Sequence, residues 1–328
     1  MKVLVGVISP FAVWIMPRRF VAELRREFPQ HAFLEAWDRE AVRRLLPEAD
    51  VAFTPVVDPD VFALASRLRW IQVPAVGVGP VLFPDLVASP VVVTSTRGVR
   101  ARAIAEHVLG VTIALARQLP LAIRAQVNHD WIQGSLEGED VGIRTLEGRR
   151  LGLVGLGSIG TEIARVAAAF GLRVSAVRRQ PNRPRPDVVE EVMPADCLPD
   201  LLSKSDIVVL AAPLTAATER IIDADALDRI KRGAFLVNIG RGTLVDDDAV
   251  IEALRDGRLA GAALDVFTDE PLDRSSPYWD LPNVIVTPHV CGAMHDYWPR
   301  VVALFADNLR RFERGERLLN VVDKVAGY

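Results

Sequence analysis

The chain has 328 residues, half of them hydrophobic and a quarter charged, with a formal net charge of −3. That length suits about two domains with substantial cores, and the mild negative balance excludes a chain built to coat nucleic acid. Cys197 and Cys291 are the only cysteines and form neither a metal-ligand spacing nor a disulfide framework; this fits a reducing cytosol, and no apolar run is long enough to span a membrane.

The start, Val3 to Met16, is apolar enough to imitate a signal peptide, but Pro10 interrupts it, only Lys2 precedes it and no small-residue cleavage site follows. It reads instead as a buried first strand, Lys2–Ile8. A helix is expected at Arg18–Phe28, a strand at Ala32–Ala36, and a helix at Asp38–Leu46 with Asp38 as its N-cap. Val51–Phe53, Arg69–Val73 and Val91–Thr94 read as further strands. Strands alternating with helices imply a parallel sheet covered on both faces. The loop Pro74-Ala-Val-Gly-Val-Gly79 follows the strand that ends at Val73, at the end of a parallel strand where open α/β sheets bind ligands. Arg100–Arg117 is a long helical pattern containing Glu106 and His107, and Leu119 to Glu147 reads as an irregular connection carrying Asn128, His129, Asp130 and Trp131. A connection of that length is uncommon unless it is functional or covered by a partner.

The stretch from Arg150 to Arg178 reads as strand, glycine turn, helix, glycine stop and second strand. Gly155, Gly157 and Gly160 form G-x-G-x-x-G: one glycine for the tight turn, one for close approach of a pyrophosphate, one for helix–strand packing. The helix N-terminus beginning at Ser158 and Ile159 then offers N–H groups and a positive dipole end to phosphate. The strand–turn–helix context is what gives this motif weight. Further strands are expected at Asp206–Ala211, Ala234–Ile239, Gly261–Val266 and Val284–Thr287. Helices are expected at Leu198–Ser203, Ala224–Ile230 and Asp246–Arg255, and a last one runs from Met294 toward Gly315. The late glycine turn and surplus final helix imply a discontinuous arrangement. Residues 1–97 and 294–328 form one doubly wound domain, flavodoxin-like and substrate-binding, and 98–293 form a Rossmann dinucleotide domain.

The residue ending the second Rossmann strand chooses the cofactor: an acid takes the ribose 2′-OH, an arginine accommodates a 2′-phosphate. Here it is Arg178, with Arg179 next and no carboxylate until Asp187, so NADP is favoured over NAD.

Three further segments end predicted strands. In Asn238-Ile-Gly-Arg241-Gly an arginine lies between two glycines, and its fork suits a carboxylate with an adjacent carbonyl oxygen. The second is Leu264-Asp-Val-Phe-Thr-Asp-Glu270-Pro-Leu, and the third Val286-Thr-Pro-His289-Val-Cys-Gly. A histidine at a strand end with a carboxylate available is suited to general acid/base work near neutral pH.

Taken in order, G-x-G-x-x-G, Pro213-Leu-Thr, G-R-G, D-V-F-x-x-E-P-L and T-P-H resemble the D-isomer-specific 2-hydroxyacid dehydrogenases. The resemblance covers nearly the whole chain, including Trp70-Ile-Gln, the Val76-Gly-Val loop and Ala105-Glu-His-Val-Leu-Gly110. It implies an oxidoreductase in which the arginine matching Arg241 holds the substrate carboxylate and carbonyl. The glutamate matching Glu270 bonds the histidine matching His289 and raises its proton affinity. That histidine gives a proton to the ketone oxygen as hydride arrives from the nicotinamide. It further implies substrate contacts at Val76, Gly77 and Val78. Cofactor contacts are implied at Gly155, Gly157, Ser158, Ile159, Gly160, Arg178, Arg179, Ala212, Pro213, Thr218, Ile239, Gly240, Arg241, Asp265, His289 and Gly292. In the family the aspartate matching Asp265 meets the nicotinamide carboxamide. No metal is implied.

Two departures bear on specificity. Gly79 stands where Asp or Asn is frequent, which affects substrate choice, and Arg178 replaces the acid of NAD-using members, as in the glyoxylate/hydroxypyruvate reductase branch. The segment 119–147 resembles the family's dimerisation arm and implies a homodimer; Trp131 either reaches the partner's active site or packs locally. The cysteine usage, mild charge and lack of a spanning run lead to the expectation of a cytoplasmic protein without nucleic-acid or membrane partners. The alternatives are an NAD enzyme of another 2-hydroxy acid, and a dinucleotide-sensing corepressor of the same fold.

Overall fold

A computed structural model describes residues 1–9, 15–137 and 142–327. Pro10, and residues 138–141 of the segment expected to be irregular, lie outside them. The chain forms two compact units, Met1–Val99 with Met294–Tyr328, and Arg100–Ala293.

In the first unit β1 (Lys2–Val5), β2 (Ala32–Glu35), β3 (Val51–Phe53), β4 (Trp70–Gln72) and β5 (Val92–Thr94) make a parallel sheet in the order β2-β1-β3-β4-β5. This is the flavodoxin-like order. Every residue of β3 and β4 is buried because both faces are covered. Alternate side chains go to opposite layers. Val3, Val5, Phe53 and Trp70 meet the helix Tyr297–Glu313, whose Phe305 ring stacks 4.5 Å from Phe53 and 5.3 Å from Trp70. Leu4, Ala52, Ile71 and Val93 build the other layer. Asp38 caps the helix Arg39–Leu45, accepting from the Ala41 N–H at 2.7 Å.

In the second unit β6 (Arg150–Val154), β7 (Arg173–Val177), β8 (Val189–Met193), β9 (Ile207–Leu210), β10 (Ala234–Asn238), β11 (Leu259–Leu264) and β12 (Val284–Val286) are all parallel. Their order is β12-β11-β10-β9-β6-β7-β8. Counted from β6 this is the doubly wound dinucleotide order with one strand added, and the direction of winding reverses between β6 and β9. The helices Ala101–Ala116 and Ser158–Ala169 pack on one face through Ile104, Val108, Ile163 and Ala167. The helices Leu198–Lys204 and Asp247–Arg255 pack on the other through Leu201, Leu202, Val250 and Leu254.

The expectation of an irregular stretch from 119 to 147 is corrected. Helices occupy Leu119–Asn128 and Gln133–Leu136. Pro120 lies in a first helical turn, where no N–H is needed, and Leu119, Ile123 and Val127 recur at four-residue spacing. The strand Val189–Met193 was not read from the sequence, and β1 is shorter than Lys2–Ile8. Among the described residues no single helix is long and apolar enough to cross a membrane.

Candidate active site

The glycine turn lies at the winding reversal. Gly155 has φ +103°, and a Cβ there would stand 2.8 Å from the Ala211 and Ala212 backbone. A Cβ on Gly160 would stand 2.3 Å from the Gly155 carbonyl oxygen. These two glycines let β6, β9 and the helix Ser158–Ala169 close on one another. Gly157 is exposed, and a Cβ there would meet nothing within 4 Å. A twelve-residue helix aimed at open space beside a bare backbone fits a pyrophosphate. Ala212 is buried at the end of β9, and Pro213 follows, exposed. The Thr218 hydroxyl shapes the next turn, donating to the Pro213 carbonyl at 2.7 Å and accepting from the Thr215 N–H at 2.8 Å.

Arg178 directly follows β7 and is half-buried. Its guanidinium donates to the carbonyls of Pro181 (3.1 Å), Pro184 (3.3 Å) and Arg183. Its Nε is buried without a partner. Burial, and then the neighbouring Arg183 charge, lower its proton affinity. Arg178 thus braces the loop that follows, and Arg179 beside it is exposed.

The neighbouring strands β10, β11 and β12 carry the other segments at their carboxyl ends. Asn238, fully buried, accepts from the Gly240 N–H at 3.1 Å and donates to the Arg241 carbonyl at 3.0 Å. This side-chain clasp makes the G-R-G turn, with Ile239 and Gly240 buried and Arg241 exposed. One Arg241 guanidinium nitrogen donates to the Gly240 carbonyl at 2.7 Å. A Cβ on Gly242 would fall 1.8 Å from the Phe267 carbonyl carbon, so this turn lies directly on the loop after β11.

In that loop Glu270 accepts the Phe267 N–H on Oε1 at 3.1 Å, and its Oε2 lies 2.7 Å from His289 Nδ1. The pair is half-exposed, at 36% and 52% of the side-chain surface, so a small molecule can reach it. His289 has φ +53°, a left-handed conformation that histidine enters more readily than most residues but that still costs about 1 kcal/mol. Asp265, only 1% exposed, surrounds this turn. Its carbonyl accepts the His289 N–H at 2.9 Å, and its carboxylate accepts Val290 N–H and Cys291 N–H at 2.9 Å each and the Thr287 hydroxyl at 2.5 Å. Burial pushes the Cys291 thiol up, beside that carboxylate. Gly292 is buried after it.

Asn238 and Thr287 were not singled out from the sequence as individual residues. The signal for Asn238 is a polar side chain ending an otherwise apolar strand before glycine. In the first unit Val76 and Gly77 are exposed after β4, and the Val78 side chain is buried in the core.

Residues 109–291 match the D-isomer specific 2-hydroxyacid dehydrogenase, NAD binding domain. A glyoxylate reductase of Korarchaeum cryptofilum is 34% identical over 94% of this chain and 96% of its own length. A D-isomer specific 2-hydroxyacid dehydrogenase of Xanthobacter autotrophicus, solved with NADPH and MES, superposes with a TM-score of 0.81 at 30% identity over 99% of both chains. The NADPH-dependent glyoxylate/hydroxypyruvate reductase of Sinorhizobium meliloti, solved with NADP and sulfate, superposes with a TM-score of 0.81 at 28% identity over 100% of both. With its two parallel sheets, its glycine turn and this kinship, the chain belongs to the D-isomer specific 2-hydroxyacid dehydrogenase family of NAD(P)-dependent oxidoreductases.

Proposed function

We propose that this enzyme reduces a small 2-ketoacid such as glyoxylate or hydroxypyruvate, with NADPH preferred over NADH. The observation that carries the reading is the His289–Glu270 contact of 2.7 Å, half-exposed at the ends of adjacent strands that also present Arg241.

The chemistry that a reduced nicotinamide supplies when bound is hydride donation. The chain's own part is orientation and proton transfer. Gly155, Gly157, Ser158, Ile159 and Gly160 hold the pyrophosphate, and Ala212, Pro213, Thr218, Ile239, Gly240, Asp265 and Gly292 line the rest of the dinucleotide path. Arg241 offers its exposed fork to the substrate carboxylate and carbonyl oxygen, and in the first unit the loop Val76–Val78 carries the substrate contacts that the family resemblance implies. The Glu270 carboxylate fixes His289 through Nδ1, which leaves Nε2 to face the ketone oxygen, and it supplies the counter-charge for an imidazolium. As the ketone carbon gains its hydride, Nε2–H gives its proton to the oxygen; in the reverse reaction the neutral ring takes it back.

The preference for NADPH rests on the run from Arg178 to Pro186, which holds four arginines and no carboxylate. Arg178 and Arg179 favour a 2′-phosphate, and no acid is there to receive a 2′-OH. The relatives solved with NADPH or NADP support this. The protein acts as a homodimer through the helix Leu119–Asn128, in the cytoplasm.

The test is a panel of 2-ketoacids assayed with NADPH and with NADH. Glyoxylate or hydroxypyruvate with NADPH should give the highest kcat/KM. His289→Ala should lower turnover roughly 10²–10⁴-fold while NADPH binding changes little. Near-normal turnover in that variant would refute the proton-donor role. Equal use of both cofactors, unchanged by Arg178→Asp, would refute the cofactor preference.

A further inference from the structure

His107 belongs to a motif on the helix Ala101–Ala116 to which the reaction above gives no task. Its ring is half-buried, and burial pushes its proton affinity down, with the Asp265 charge opposing. It therefore works as a neutral ring with a single N–H. Its Nε2 lies 3.5 Å from the Thr287 hydroxyl oxygen, a long contact at the end of β12. Thr287 has one proton to give, and the Asp265 carboxylate takes it at 2.5 Å. The hydroxyl oxygen is then left to accept, so the His107 proton sits on Nε2. The chain of donors continues through Asp265. Its carboxylate holds the N–H groups of Val290 and Cys291, and its carbonyl holds that of His289. Three successive N–H groups thus answer to one aspartate, and the first belongs to a residue at φ +53°. A left-handed non-glycine residue persists only where its surroundings over-determine it. Thr287 and His107 orient the Asp265 carboxylate, which fixes the two residues directly after His289.

We propose that His107 is a positioning residue for ketoacid reduction, acting through the Thr287 hydroxyl and the Asp265 carboxylate to hold the His289 turn in the geometry proton transfer needs. This rests on the reading of His289 as the proton donor. In this scheme His107 acts only through other residues. Its effect therefore belongs in kcat, through alignment of the reacting atoms, where a small misplacement is costly.

The experiment uses the full chain with NADPH and glyoxylate. Thr287→Val keeps the shape of the side chain and removes the hydroxyl; His107→Phe keeps a ring and removes the N–H. Each should lower kcat roughly 10- to 100-fold, with KM and the NADPH dissociation constant changed less than about threefold. Thr287→Ser and His107→Gln, which restore a donor, should recover most of the turnover. The two losses should not multiply in the double variant, since they lie in series. Adding Thr287→Val to His289→Ala should cost nothing further. Should Thr287→Val fail to fold, Thr287→Cys is read in its place. The proposal is overturned if Thr287→Val and His107→Phe keep kcat within about twofold, if their losses multiply in full, or if the conservative variants recover nothing. Normal turnover in His289→Ala would bring down the proton-donor reading and this one together. Loss in His289→Ala with none in Thr287→Val would bring down the relay alone.

Discussion

Two glycines near the site have opposite surroundings, and their substitution should separate folding from binding. A methyl on Gly242 would collide with the Phe267 carbonyl at 1.8 Å, a backbone group that no side-chain rotation relieves. Gly242→Ala should therefore cost at least about 1–3 kcal/mol, read as a lower denaturant midpoint, and lose turnover as the 241 and 267 loops part. A methyl on Gly157 meets nothing within 4 Å. Gly157→Ala should keep its stability within about 1 kcal/mol while NADPH binding weakens, because the methyl occupies the space left for the pyrophosphate. A Gly157→Ala variant that binds NADPH normally by fluorescence titration would show that this face of the turn is not used. The order of motifs and their strand-end context, rather than any one residue, singled out the glycines, Arg241, Glu270 and His289 as candidates. They could not announce that Asp265 spends its carboxylate on three local donors, since two of them are backbone N–H groups, which carry no sequence signature.

At the scale of elements, apolar runs located the strands but not their ends. From Val3 to Ile8 the stretch has no charged or polar side chain, yet pairing stops at Val5 because that is where the partner strands end. The edge strand Val189–Met193 carries two glutamates, both exposed, so its pattern is too polar to stand out. The helix Leu119–Asn128 does carry an apolar repeat, at Leu119, Ile123 and Val127, but those residues face outward rather than into a core. One ion-pair cluster here makes a pH-dependent contribution to stability. Arg39 at 3.2 Å and Arg43 at 2.8 Å hold the Asp58 carboxyl below the usual carboxylate range, against an opposing effect of burial. A carboxylate with a depressed folded value adds stability above its unfolded value, about 3.9, and loses it as pH falls through the folded one. Asp58→Asn should cost about 1 kcal/mol at pH 7. The gap between wild type and variant should close below about pH 4; a gap independent of pH would place the effect in packing.

For the whole molecule, the proposed homodimer is argued from one helix. Leu119, Ile123 and Val127 are 43%, 58% and 76% exposed along one stripe, and Trp131 beyond them is 90% exposed. Isolated apolar side chains at a surface are ordinary, but a row of four at four-residue spacing is an interface pattern. Ile123→Glu with Val127→Glu should convert the proposed dimer to monomer by light scattering at micromolar concentration, with the thermal midpoint of each unit little changed. A wild type that is already monomeric would rule the dimer out.

The final helix has a consequence for how the protein is made. Phe305 and Leu309 complete the layer over Val3, Phe53 and Trp70, yet the ribosome must translate all of Arg100–Ala293 between the two halves of that layer. At ordinary elongation rates the delay is roughly 10–40 s, long against the microseconds in which a helix forms. The nascent first unit therefore waits with an aromatic face bare, while the segment synthesised after it already has every strand of its own sheet. Vectorial synthesis and folding order are inverted: the part made first is finished last. A ribosome-stalled chain ending at Ala293 should show protease resistance across the second segment and rapid cleavage near Trp70, and chaperone holdases should be retained on such chains until the last helix emerges.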